Sequence, residues 1–104
     1  MKYFSTRDSQ KNKFDSALVI KQGLAADGGL FVPESIPTLT KEETLSLCEK
    51  TYPQRAAYIL SKFLTDYTYD ELLADSEGAY AESSFPGGAA PLKKIDDTFS
   101  SLEL

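Results

Sequence analysis

The sequence predicts an α+β fold that is mostly helical, with a short N-terminal strand, four helices and a C-terminal β-hairpin. Three observations predict it. Thr40 with Glu43, and Thr68 with Glu71, are capping boxes that each open a helix. Between them Ala56, Ile59, Leu60, Phe63 and Tyr67 recur at steps of three and four, which lays one apolar stripe along a helix. Near the end, residues 92–95 and 99–104 flank Asp96-Asp97, the pattern of a hairpin.

The elements follow in chain order. Residues 2–6, KYFST, carry two aromatics and β-branched Thr6 and read as a strand. Residues 7–13 hold no apolar residue and read as a loop. The first helix starts near Asp15, whose carboxylate suits an N-cap, with Phe14 and Val19 at the spacing of a hydrophobic staple. Gly23 ends it in the left-handed manner of a C′ glycine. At about two turns, it depends on tertiary packing. Asp27-Gly28-Gly29 is a tight-turn signal, because both glycines can take positive φ. Leu30-Phe31-Val32 is a brief extended run that Pro33 stops, and Ile36-Pro37 extends the backbone again.

The second helix runs from Thr40 to about Lys50. Pro53 suits the first turn of the third, where its missing N–H costs nothing. The fourth opens at Thr68, with Tyr67 and Leu72 at staple spacing. Asp70, Glu71 and Asp75 complement the positive end of its dipole, and it runs past Gly78 to about Ser83. Pro86-Gly87-Gly88-Ala89-Ala90-Pro91 reads as a linker. The expected organisation is therefore a domain over residues 1–85, a linker over 86–91, and the start of a further region over 92–104. A chain that stops at Leu104, inside a strand, reads as part of a longer protein.

Composition removes several function classes. The chain has 104 residues, a single-domain length. No apolar run approaches the roughly 18–20 residues of a membrane span, and the N-terminus lacks a signal-type stretch, so a cytoplasmic protein without a membrane partner is expected. There is one cysteine, Cys48, and no histidine, which excludes an intrachain disulfide, a Cys/His zinc site and a His-dependent triad. No metal site is expected. A net charge of −5 disfavours nucleic acid as a partner. Residues 1–21 carry five bases against two acids, and residues 65–85 carry six acids and no base, a pattern read as two solvated faces. Cys48 is expected to be a buried, inert thiol. Tyr52, Tyr58, Tyr67, Tyr69 and Tyr80 fall mostly at helical spacing and read as core.

Several runs carry a resemblance. They are Tyr3-Phe4-Ser5-Thr6-Arg7, Phe14-Asp15-Ser16-Ala17-Leu18, and the run from Gly23 through Leu24-Ala25-Ala26-Asp27-Gly28-Gly29-Leu30-Phe31-Val32 to Pro33. Together they resemble the N-terminus of the threonine synthase family, which opens with Ser-Thr-Arg-Gly and continues through a segment like Gly-Leu-Ala-Pro-Asp-Gly-Gly-Leu-Tyr-Val-Pro. Leu92-Lys93-Lys94-Ile95, an acidic turn and Leu102-Glu103-Leu104 look like the hairpin that in the family leads into Leu-Glu-Leu-Phe-His-Gly-Pro-Thr. The chain departs from the family at Asp8 (glycine there), Ala26 (often proline) and Phe31 (often tyrosine). Asp8 matters most, since it places negative charge beside Arg7.

The resemblance implies a parent enzyme that uses pyridoxal phosphate. That enzyme converts O-phospho-L-homoserine and water to L-threonine and phosphate, as a carbon–oxygen lyase acting on phosphates. The hairpin would then start the sheet of the pyridoxal-phosphate domain. The Schiff-base lysine lies in a Phe-Lys-Asp motif expected beyond Leu104, so this stretch is expected to be non-catalytic and to hold no cofactor. Its implied partners are the pyridoxal-phosphate domains of the same protein, and its implied role is to pack on them and cover part of the substrate cleft. Two alternatives stand beside this: a threonine synthase-like phospho-lyase, and a non-enzymatic protein-interaction module.

Ser5, Thr6 and Arg7 are the candidate substrate-binding residues. Two hydroxyls and a guanidinium at a strand end can hold an anion, and the arginine fork matches phosphate. The competing reading pairs Arg7 with Asp8, Asp15 or another domain and uses Ser5 and Thr6 to satisfy the strand end. Asp27-Gly28-Gly29 reads either as an anion nest or as a structural turn. It lacks the length and lysine of a P-loop.

Overall fold

Strand β1 (Tyr3–Ser5) alternates buried, half-buried and buried, as a strand with one covered face does. The computed structural model, which describes residues 1–103, pairs it antiparallel with β2 (Phe31–Pro33), with Tyr3 opposite Pro33 and Ser5 opposite Phe31. On the other side Tyr3 exchanges two backbone hydrogen bonds with Phe14, at 2.9 and 2.8 Å. The rings of Phe14 and Phe31 meet edge to face with centroids 5.5 Å apart. Tyr3 is buried, and its hydroxyl donates to the Phe63 carbonyl at 3.1 Å, tying the strand to a helix sixty residues later. Pro33 lies within β2 as its last residue.

Helix α1 (Ser16–Gln22) begins after Asp15, which has the extended backbone of an N-cap but makes no capping hydrogen bond. Its carboxylate pairs with Lys2 Nζ instead. The cap comes from Asp66. That carboxylate accepts from the Ala17 N–H at 2.8 Å and from the buried Ser16 hydroxyl. Gly23 closes the helix at φ 76°, its N–H donating to Val19. Of the two turn glycines only Gly28 takes positive φ, at 75°. Gly29 is glycine for want of space, as described below.

Helix α2 (Lys41–Cys48) has the full Thr40–Glu43 capping box. It stops two residues short of Lys50, because Thr51 opens the next helix with a capping box of its own to Gln54. Arg55 also donates through Nε to the Leu47 carbonyl at 2.8 Å and through Nη2 to that of Cys48 at 3.0 Å, satisfying carbonyls the helix end leaves open. Cys48 is exposed, contrary to expectation. The helix buries only Leu47, so its remaining face, with the thiol, is left to solvent.

Helices α3 (Tyr52–Phe63) and α4 (Tyr69–Ala79) pack on each other, and Ala57, Leu72 and Ser76 are buried. The fourth helix ends at Ala79 rather than near Ser83. There the Tyr80 ring turns against Tyr52, at 4.8 Å edge to face, and against Phe85 at 5.5 Å. The apolar stripe of α3 runs from Ala56 to Phe63, since the helix ends there and leaves Tyr67 outside it, and it is only partly covered. Ile59 and Leu60 stay more than a third exposed and, with Tyr52, Ala56 and Tyr80, wall an open groove of about 370 Å³. The tyrosines are less buried than the sequence suggests. Tyr52 and Tyr69 are on the surface, whereas Tyr3 is the core tyrosine. No described helix is long and apolar enough to cross a membrane.

Residues 86–91 turn through Gly87, Gly88 and Ala90, all at positive φ. Strands β3 (Leu92–Lys94) and β4 (Ser100–Leu102) then pair antiparallel, with Leu92 opposite Leu102. Asp96 shapes their turn by accepting from the Thr98 and Phe99 N–H groups at 2.7 and 2.8 Å. The second strand, expected to reach Leu104, ends at Leu102, and Leu104 lies outside the described residues. Leu92, Ile95, Phe99 and Leu102 are each more than half exposed.

Candidate functional site

The antiparallel register that sets Ser5 opposite Phe31 also brings residues 5–7 against residues 27–30. Two stretches that look separate in sequence therefore form one clasp. The Ser5 hydroxyl, with the residue only 3% exposed, donates to Asp27 Oδ1 at 2.7 Å. The same carboxylate oxygen accepts from the Gly29 N–H at 2.8 Å. Ser5 Oγ accepts in turn from the Arg7 N–H at 3.2 Å. Thr6 N–H donates to the Leu30 carbonyl at 2.9 Å, and Leu30 N–H donates to Thr6 Oγ1 at 3.1 Å. The Ser5 hydroxyl, followed by the Gly29 N–H, holds the Asp27 carboxyl below the usual carboxylate range.

The two glycines of the turn are required for different reasons, Gly28 by its positive φ and Gly29 by close approach. A Cβ on Gly29 would overlap Ser5 Oγ and stand 3.0 Å from Asp27 Oδ1 and 3.1 Å from the Arg7 nitrogen. A Cβ on Gly28 would come 2.9 Å from Arg7 Nη1. The arginine side chain lies across this bare backbone, and Nη1 donates to the Asp27 carbonyl at 3.3 Å.

The three candidate residues thus divide. Ser5 and Thr6 spend their hydroxyls inside the fold. Arg7 is exposed, and of its guanidinium nitrogens only Nη1 has a protein acceptor among the described residues. The ion pairs considered for it within this chain are absent among the described residues. Asp15 is taken by Lys2. Asp8 turns to its own loop, accepting from the N–H groups of Asn12 (2.8 Å) and Gln10 (2.9 Å) and from the Asn12 amide (2.9 Å). Those donors, Asn12 first, hold it below the usual range. The turn is not an anion nest. Gly28 N–H goes to the Ala25 carbonyl at 2.9 Å, and Gly29 N–H to Asp27. Asp27, which no sequence argument singled out by itself, is the centre of the clasp. An Asp followed by two glycines is the signal that could have found it.

Beside the clasp, Phe14 and Phe31 face Ala25 and Ala26 across a cleft of about 220 Å³. Its polar lining includes two carboxylates, Asp8 and Asp27, and no lysine or arginine. A group that needs a Schiff-base lysine and a phosphate cradle does not fit there.

A second cluster joins α2 to α3. Glu43 Oε1 accepts from Lys62 Nζ and from the Tyr58 hydroxyl, both at 2.6 Å, while Oε2 accepts from the Thr40 N–H at 2.8 Å. Lys62, then Tyr58 and Thr40, pull the Glu43 carboxyl down to about 2. These groups hold one another, and the cluster serves the fold.

Comparison with known proteins gives one answer throughout. A family model described as the threonine synthase N terminus matches residues 2–80. The threonine synthase of Pseudomonas aeruginosa is 32% identical over 108 aligned residues, covering 100% of this chain and 22% of that protein. A human protein named threonine synthase-like 1 is 38% identical over 95 residues, covering 88% of this chain and 13% of its own length. The crystal structure of threonine synthase from Escherichia coli matches with a TM-score of 0.85 at 27% identity, over 99% of this chain and 23% of that one. The chain spans about a fifth of the length of the curated threonine synthases it matches. Sequence, fold and family model agree, and the chain belongs to the threonine synthase N-terminal family.

Proposed function

We propose that this chain is the amino-terminal region of a cytoplasmic, pyridoxal-phosphate-dependent threonine synthase. The reaction would convert O-phospho-L-homoserine and water to L-threonine and phosphate. The observation that carries this reading is the match to a solved threonine synthase over 99% of the chain, hairpin included. Pyridoxal phosphate would serve as electron sink for the substrate's carbanions, and it would be held by the rest of the protein. On this reading the Schiff-base lysine also belongs to the rest of the protein, and this region would be non-catalytic and act by packing.

Residues 1–85 would form the supporting domain, 86–91 the linker, and 92–104 the first hairpin of the pyridoxal-phosphate domain. The exposed leucines, isoleucine and phenylalanine of that hairpin support this division, since apolar side chains on a strand pair call for cover. Ser5, Thr6 and Arg7 would stand on the side of the substrate cleft, with the domain helping to exclude water from it. A second reading, a threonine synthase-like phospho-lyase, draws on the human relative at 38% identity.

The test uses the full-length protein. Its absorbance is recorded at the internal-aldimine band, O-phosphohomoserine is added, and threonine and phosphate are assayed. The proposal expects the band and both products. A band with phosphate but no threonine favours the phospho-lyase, and absence of the band overturns both enzyme readings in favour of an interaction module.

A further inference from the structure

We infer that Arg7 is the anion contact of this region, taking a phosphate group of the substrate, and that Asp27 is the positioning residue that aims it. This rests on the reading of the parent protein as an enzyme for a phosphorylated amino acid.

Arginine recognises phosphate when its planar fork is held still and its outer N–H groups are open. Both conditions are met at Arg7. The Nη1 end of the guanidinium comes close to Gly28, where no Cβ intervenes. Nη1 is fixed on the Asp27 carbonyl, and the Arg7 N–H is fixed on Ser5 Oγ. Nε and Nη2 have no protein acceptor among the described residues. The other arginine of the chain, Arg55, is a contrast. Its Nε and Nη2 are spent on the end of α2.

The two neighbouring carboxylates, Asp8 and Asp27, take their hydrogen-bond donors from elsewhere and leave the outer guanidinium N–H groups of Arg7 unclaimed. Asp27 faces Ser5 and Gly29 and lines the cleft, whereas Arg7 is not part of the cleft lining. Asp8 is filled by donors from its own loop. Asp27 acts through geometry rather than charge. Its carboxylate pins the Ser5 hydroxyl and the Gly29 N–H, and this fixes the carbonyl on which Arg7 rests.

The experiment titrates the full-length protein with inorganic phosphate in a calorimeter, beside thermal unfolding and kinetics with O-phosphohomoserine. The variants are Arg7→Gln, Asp27→Ala and Asp27→Asn. Loss of a charge-assisted contact should weaken phosphate binding about tenfold or more in Arg7→Gln, and raise KM more than it lowers kcat. Asp27→Ala should weaken phosphate binding as well. Asp27→Asn keeps an oxygen for Ser5 and Gly29 and should stay close to wild type.

Phosphate affinity unchanged in Arg7→Gln overturns the inference, and so does a wild-type protein that binds no phosphate. A lowered melting temperature with unchanged affinity also overturns it, and would mark Arg7 as an ion-pair partner of the remaining chain. Asp27→Asn falling as far as Asp27→Ala overturns the positioning role. A wild-type protein that binds phosphate through Arg7 but forms no threonine would sink the enzyme reading and leave this inference standing.

Discussion

Replacing Gly29 with alanine attacks the clasp at its tightest point. Gly29 is not in the left-handed region, so alanine meets no backbone penalty there. The cost is steric. The new methyl must occupy the place of Ser5 Oγ, and the buried hydroxyl must rotate away from Asp27. Overfilling a packed site costs about 1–3 kcal/mol. Leaving the Ser5 hydroxyl without its partner adds about 1–3 kcal/mol. A total near 3 kcal/mol lowers the melting temperature of a domain this size by roughly 12–24 °C. It remains below the 5–15 kcal/mol that about 100 residues supply, so the variant should still fold.

The decisive assay is a double-mutant cycle, with unfolding followed by circular dichroism in urea. In a Ser5→Ala background the overlapping oxygen is gone. The new methyl then meets only Asp27 Oδ1 at 3.0 Å and the Arg7 nitrogen at 3.1 Å. Gly29→Ala should therefore cost about 1 kcal/mol there, giving a coupling near 2 kcal/mol, within the range for residues in contact. Equal costs in the two backgrounds, to within about 0.5 kcal/mol, would refute the reasoning, because glycine would then be required for something other than room beside Ser5.

Three further outcomes follow from the same geometry. Asp66→Ala should destabilise the chain by about 1 kcal/mol, the usual worth of an N-cap, with loss of protection at the Ala17 amide in hydrogen exchange; Asp15→Ala should not expose that amide. Glu43 has a folded pKa of about 2, below its ordinary 4.5, so its contribution is present above the unfolded value and lost as pH falls from about 5 toward about 2. Melting temperatures over that window should fall less steeply in Glu43→Gln than in wild type, and parallel curves would exclude the cluster as a source of acid sensitivity. The single thiol, Cys48, should react with Ellman's reagent in the folded protein to one equivalent, whereas a buried thiol would need denaturant.

Local codes were legible. Thr40 with Glu43 and Thr68 with Glu71 specify their helix starts within four residues, and the structure places both. Thr51 with Gln54 uses the same code with an amide in place of a carboxylate, and Pro53, inside the box, marks the same first turn. What was not legible involves distance along the chain. Asp15 has every local mark of a cap, yet Lys2 claims its carboxylate and Asp66 takes the role. The stripe on α3 was readable, but periodicity does not say how much of a stripe is covered, and Ile59 and Leu60 stay partly bare. At the candidate site the residue types suggested an anion contact. Only strand register could reveal that Ser5 and Thr6 hold the fold while Arg7 is left open.

The long-range cap on α1 also bears on the order in which the chain folds. A seven-residue helix is far below the length at which a segment persists in water, and nucleation is its costly step. Its capping carboxylate arrives from Asp66, forty-nine residues beyond Ala17, so a loop of that length must close before the cap exists. Helices α3 and α4 are adjacent in sequence and can pair early through short-range contacts. Helix α1 is then a late element, formed once the segment joining α3 to α4 has been set in place. The N-terminal strand, which reaches Phe63 through Tyr3, would dock in the same step. Mutations at Asp66 or Tyr3 should accordingly accelerate unfolding while leaving the refolding rate almost unchanged.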